Sequence, residues 1–245
     1  MSDSPVHAPR RFATTRWSLV VAAGHRSSPD VDVALETLCG AYWFPLYAYV
    51  RSRGHNAYDA RDLTQEFFTR LLEKDFLQSA DPQRGRFRSF LLTVLKRFLS
   101  KEHEKTQTLK RGGNRRKLSI DFDSGEQRIQ IEPATTATPE SIFERQWALT
   151  LLQRVLASLS SEYRNSGRGE LFDRCRIYLT GSAGASPYAE TAESLGMTEG
   201  ALKVAVHRMR NQYREQLKEE VGQTVASKNE VEDEIRSLMS AVARP

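Results

Sequence analysis

Asp62 and Glu66 stand four positions apart in a stretch with helical spacing, so their carboxylates are neighbours on one face, with Gln65 beside them. Paired carboxylates of this kind hold a divalent metal or carry out acid–base work. No histidine or cysteine stands nearby at a spacing that would complete a ligand set. Two other readings of the face stay open: a plain solvated acidic surface, and a docking surface for a basic partner.

A second group is cationic. Residues 84–117 hold twelve Lys and Arg against two acids, Glu102 and Glu104, a net of +10. The following residues, 119–140, carry a net of −4, so the charge is blocked rather than spread. Closely spaced cations neutralise phosphates and release counterions, which makes the block a candidate nucleic-acid footprint. Phe87, Phe90 and Phe98 lie among these charges at the spacing of a buried helical stripe. The alternative is a solvated face over that stripe.

A third group lies near the C-terminus. Residues 186–195 read as a short helix, Gly196 permits a tight turn, and Thr198 is a good cap for a second helix. That helix would bury Leu202, Ala205 or Val206, Met209, Tyr213 and Leu217. It would present Glu199, Lys203, His207, Arg208 and Arg210 outward. A polar, basic N-terminal half on a helix tilted by its predecessor suits the major groove; the plainer reading is an ordinary helical hairpin.

The elements that must position these groups are helical. Periodicity predicts helices over 31–53, 57–74 and 87–105, separated by a break at Gly54 and a loop at 78–86. Pro45 inside the first is expected to bend or break it. Tyr42, Trp43, Phe44, Tyr47 and Tyr49 could stack bases, but their spacing favours a core cluster. Residues 106–139 read as a linker, with weak alternation at 117–122 and 128–131 that admits a short hairpin. Thr138 as cap and Pro139 at the first helical position open the next helix. Further helices are expected over 169–179, 187–195 and 198–219. The acidic tail, 221–245, either stays unstructured or forms a short amphipathic helix over 231–242. Such a helix would fold back on the C-terminal domain and temper DNA contact by charge.

Bulk properties bound the rest. The 245 residues are 39% hydrophobic and 27% charged, with a formal net charge of +5 and a pI near 9.3. That suits one large or two small packed domains and permits a nucleic-acid partner. Cys39 and Cys175 make neither a disulfide framework nor a zinc site, so a reducing compartment is the simplest reading. No apolar run approaches a membrane span, and no membrane insertion is expected. Arg10 and Arg11 before the apolar stretch 17–23 loosely resemble an export signal, but Arg16 borders that stretch and it is too short. The expected location is the cytoplasm.

The order of these features resembles a known family. DARDLTQEFF at 59–68, FRSFLLTVLKR at 87–97 and YAETAESLGMTEGALKVAVHRMR at 188–210 resemble, in sequence order, three regions of bacterial sigma factors. The group is the extracytoplasmic-function group of the sigma-70 family. TTRWSLV at 14–20 and WALTLL at 147–152 are similar to a branch of that group from environmental bacteria. The likeness covers about residues 12–220. It departs from the family pattern at Arg97, at Lys101, in a longer stretch between Leu159 and Tyr188, and in the added tail.

The resemblance implies an all-α protein of two small helical domains joined by a flexible linker, the second ending in a helix-turn-helix. The divisions are 12–105, a linker at 106–139, 140–220, and the tail. Asp62, Gln65 and Glu66 would dock on core RNA polymerase. Arg84, Arg86, Arg88, Lys96, Arg97 and Lys101 would hold the promoter element nearest the start site. Thr198, Glu199, Lys203, His207, Arg208 and Arg210 would engage promoter DNA upstream. The polymerase would supply metal and chemistry, so the chain itself would be no enzyme and need no cofactor, metal or catalytic residue. An anti-sigma factor is a further partner the resemblance admits, and the sequence does not name one. The rival expectations are a helix-turn-helix regulator that acts without polymerase and a metal-dependent nuclease built on Asp62 and Glu66.

Overall fold

The computed structural model describes residues 29–72, 86–106, 137–180, 187–225 and 227–243. Several expectations lie outside them: the N-terminal segment with TTRWSLV, most of the loop at 78–86 with Arg84, the alternating stretches at 117–122 and 128–131, and the residues at 181–186. Every regular element among the described residues is helical, in agreement with the all-α expectation. In chain order these are α1 (Pro29–Ser52), α2 (Ala57–Leu72), α3 (Phe87–Thr106), α4 (Pro139–Asn165), α5 (Gly169–Cys175), α6 (Ile177–Thr180), α7 (Tyr188–Ser194), α8 (Glu199–Gly222) and α9 (Val231–Ala243). A 3-10 turn, Lys228–Glu230, leads into the last. None of these helices is long and apolar enough to cross a membrane.

Local chemistry sets most of the boundaries. Gly54, at φ 94°, adopts a left-handed conformation that turns the chain between α1 and α2. Asn56 then caps α2: its Oδ1 accepts from the Asp59 amide at 2.8 Å while its Nδ2 donates to the Asp59 carboxylate at 2.8 Å. Thr138 Oγ1 accepts from the Ser141 amide at 3.2 Å, and Pro139 occupies the first turn of α4, as the sequence implied.

Pro45 does not break its helix. It removes one backbone donor, yet α1 runs through it without ending. Its neighbours Phe44, Leu46, Tyr47 and Val50 are all buried, and α1 packs extensively along α4. Each buried aromatic or aliphatic side chain contributes about 1.5–3 kcal/mol. Together they exceed the ~3 kcal/mol that an internal proline costs.

Two buried clusters organise the chain. The first gathers Tyr42, Leu46, Phe67, Phe68, Phe87, Leu95 and Phe98 from α1–α3, and Phe143, Trp147 and Leu151 from the first half of α4. Tyr42 meets Phe87 edge-on at 5.2 Å, and Phe67 lies 5.8 Å from Phe98. The aromatic run at 42–49 is therefore core, as its spacing suggested. The second cluster joins Leu159 and Tyr163 of α4 to Phe172, Cys175, Tyr178, Ala192, Leu202, Val206 and Met209. Helix α4 serves both: its 27 residues extend about 40 Å.

The tail forms the short helix, and it folds back on α4 and α8 of the C-terminal part. Leu238 and Ala241 of α9 join the first cluster, together with Leu217 and Val221 from the end of α8. The first core thus takes side chains from both sides of residues 106–139. The cause is the apolar stripe Val231, Ile235, Leu238 and Val242, which finds its complement on α4 and α8.

Candidate functional site

Three surfaces carry the residues singled out by the sequence. On α2, Asp62 is exposed, and Gln65 and Glu66 are half-buried. Glu66 accepts from Arg70 Nε at 2.8 Å and lies 2.8 Å from its Nη2. Arg70 also meets Glu102 of α3 at 2.9 Å and stands over the Phe98 ring at 5.0 Å. Glu66 is therefore part of the bracing between α2 and α3, while Asp62 faces solvent. Tyr58, 71% exposed, lies one turn before Asp62 on the same helix and was missed in the sequence. Among the described residues, no three His, Cys, Asp or Glu side chains converge as a ligand set.

Helix α3 sorts its cations into two kinds. Lys96, Arg97 and Lys101 are exposed; Lys96 pairs with Glu140 of α4 at 2.6 Å, and this contact holds the Glu140 carboxyl below its usual range. Arg88 does the opposite. Only 3% exposed, it points into the first core, with its guanidinium over the Trp147 ring at 4.5 Å. Glu234 of α9, 0% exposed, accepts from Arg88 Nε at 2.7 Å and Nη2 at 2.9 Å. Arg88 also pairs with Glu144 of α4, and Arg86 approaches Glu234 at 2.7 Å. The expectation that Arg86 and Arg88 face nucleic acid does not describe this arrangement. A readable signal existed: Arg88, Leu91, Leu92 and Leu95 share one helical face, so the arginine sits on the buried stripe. Glu234 likewise interrupts the apolar stripe of α9, and a carboxylate there requires a cation.

The third surface is the pair α7–α8. Gly196, at φ 62°, makes the turn, closed by the Met197 amide donating to Ala192 O at 2.9 Å. Thr198 Oγ1 accepts from the Ala201 amide at 3.2 Å and caps α8. Leu202, Val206 and Met209 are buried, with Ala205 and Tyr213 half-buried, which leaves Glu199, Lys203, His207 and Arg208 exposed. Glu199 lies 2.6 Å from Lys203 and holds its ammonium pKa above the usual value; His207 meets Asn211 at 3.1 Å. Between these polar groups the same face exposes Gly200, Ala201 and Val204, small and apolar residues the sequence reading did not single out. Arg210, although exposed, directs its guanidinium to Tyr178 O.

The structure thus leaves Asp62, Arg97, Lys101, Lys203, His207 and Arg208 presented outward, and turns Arg88 inward. Comparison with curated proteins and with solved structures returned no match to the chain. Comparison with family models returned one, over the end of α1, all of α2 and all of α3. Residues 42–108 match the family described as Sigma-70 region 2.

Proposed function

We propose that the chain is a sigma factor of the extracytoplasmic-function group, which binds core RNA polymerase and directs it to promoters. The observation that carries this reading is the Sigma-70 region 2 match, which falls on the helices bearing the exposed acid Asp62 and the exposed cations Arg97 and Lys101. In this reading Asp62, supported by Gln65 and the Glu66–Arg70 brace, docks on a basic surface of core polymerase. Lys96, Arg97 and Lys101, with Arg84 shortly before them in sequence, take the promoter element nearest the start site.

The upstream element falls to α7–α8. Thr198 and Glu199 stand at the helix N-terminus, where orphan amides and the helix dipole favour a phosphate. Lys203, His207 and Arg208 extend along the outward face, and Gly200 and Ala201 allow close approach to the groove. Residues 12–105 and 140–220 would then be the two promoter-facing parts, joined by 106–139. The polymerase carries the chemistry, so the chain works in the cytoplasm without a catalytic group of its own, and an anti-sigma factor is a natural further partner.

The decisive experiment combines capture of core polymerase by the tagged chain with transcription from a genomic promoter library. Capture together with promoter-specific transcripts is the expected result. Sequence-specific DNA binding without capture would instead indicate a regulator that acts alone.

A further inference from the structure

The ion cluster around Glu234 has a composition that matters beyond folding. Two guanidiniums, Arg86 and Arg88, face two carboxylates, Glu144 and Glu234, so the cluster is neutral. Both arginines come from the start of the basic block, at the point where the chain enters α3. Glu234 comes from a helix at the opposite end of the chain. Ser237, one turn further along α9, accepts from Arg88 Nη2 at 3.0 Å, and the Phe87 amide donates to Thr224 O at 3.3 Å. The tail therefore grips the entry to α3 through side chains and backbone together.

A carboxylate and a phosphate offer a guanidinium the same pair of acceptor oxygens. An arginine held bidentately by Glu234 is withheld from a nucleic-acid phosphate, and the two acceptors compete directly. The remainder of α9 is poised for such an exchange. Met239 is exposed, Glu232 and Asp233 are solvated, and a Lys218–Glu232 contact of 3.4 Å ties the helix to α8. A helix of thirteen residues has marginal stability once its apolar surface is lost, so release unfolds it as a unit.

Building on the reading of this chain as a promoter-binding sigma factor, we propose that α9 is an intramolecular latch. Glu234 occupies Arg86 and Arg88 in the closed state, and nucleic-acid phosphate displaces it. The latch accounts for two of the twelve cations in the block, while Arg97 and Lys101, exposed among the described residues, make the first encounter.

The test uses the full chain and Glu234→Gln, which keeps the shape and acceptor of the side chain but removes its charge. Affinity for a non-specific DNA duplex is measured as a function of salt, and core polymerase capture is scored in parallel. The variant is expected to bind about tenfold tighter at low salt, with the slope of log K against log salt unchanged, because the same two arginines reach phosphate in both complexes. An unchanged affinity overturns the latch. Amide exchange on the wild-type chain gives a readout that needs no variant: saturation with duplex at low salt is expected to strip protection from α9. Protection retained in the complex overturns the proposal even if Glu234→Gln fails to fold. Capture of polymerase with no change in affinity sinks the latch alone; tighter DNA binding by the variant without capture sinks the sigma-factor reading alone.

Discussion

Arg210 reaches from α8 to the carbonyl oxygen of Tyr178, donating to it from Nε at 3.2 Å and from Nη2 at 2.9 Å. Tyr178 lies in α6, a helix of only four residues. The arginine that spacing placed on the DNA-facing side of α8 thus fastens α8 to the second core. Arg210→Ala is expected to lower stability by about 1–2 kcal/mol, the range for a charged hydrogen bond at a partly exposed site. Arg208→Ala, exposed on the other side, should change stability by less than ~0.5 kcal/mol and weaken DNA binding instead. Thermal melts alongside DNA titrations separate the two; equal effects in both assays would refute the division.

The acidic face of α2 divides in a similar way. Asp62→Lys should leave the melting curve within ~0.5 kcal/mol of wild type while abolishing co-purification with core polymerase. Glu66→Lys should also destabilise, because it sets a cation against Arg70, which Glu66 and Glu102 now hold between them. Normal co-purification by folded Asp62→Lys would remove this face from the docking surface.

The tail belongs to the first core, so removing it has a structural cost. Leu238 is fully buried, whereas Met239 next to it is 45% exposed. Leu238→Ala is expected to cost about 2–5 kcal/mol. Met239→Ala should cost less than ~0.5 kcal/mol. Chemical denaturation of the two variants checks this. If Leu238→Ala is as mild as Met239→Ala, α9 does not pack as described.

Cys175 is fully buried in the second core, and burial pushes its thiol pKa up. A raised pKa in the folded state means that stability is intact while the unfolded thiol keeps its proton. It is lost as pH rises above about 9, where the unfolded chain can ionise and the folded one cannot. In a Cys39→Ser background, alkylation of Cys175 at pH 8 should be negligible in the native chain and rapid in denaturant. Stability measured between pH 7 and pH 10 should fall more steeply than in Cys175→Ala. Rapid native alkylation would contradict the burial.

Much of this molecule could be read along the chain because the responsible forces act within one or two helical turns. Thr138 and Thr198 cap the helices they precede, Gly196 takes the left-handed turn, and the stripe of phenylalanine and leucine on α3 turns inward. Even the tail helix followed from the spacing of Ile235, Leu238 and Val242. Local patterning could not say which surface that stripe would meet. The continuation of α1 through Pro45 depends on packing against α4, about a hundred residues away in sequence. Arg88 and Glu234 are 146 positions apart, and each alone is an ordinary charged residue at a helical position. A formal charge and a spacing are properties of the chain; whether that charge faces solvent, DNA or a buried carboxylate depends on which distant helix lies over it. For Asp62 and Arg97 no helix among the described residues does, while for Arg88 and Arg210 the fold supplied a partner before any nucleic acid could.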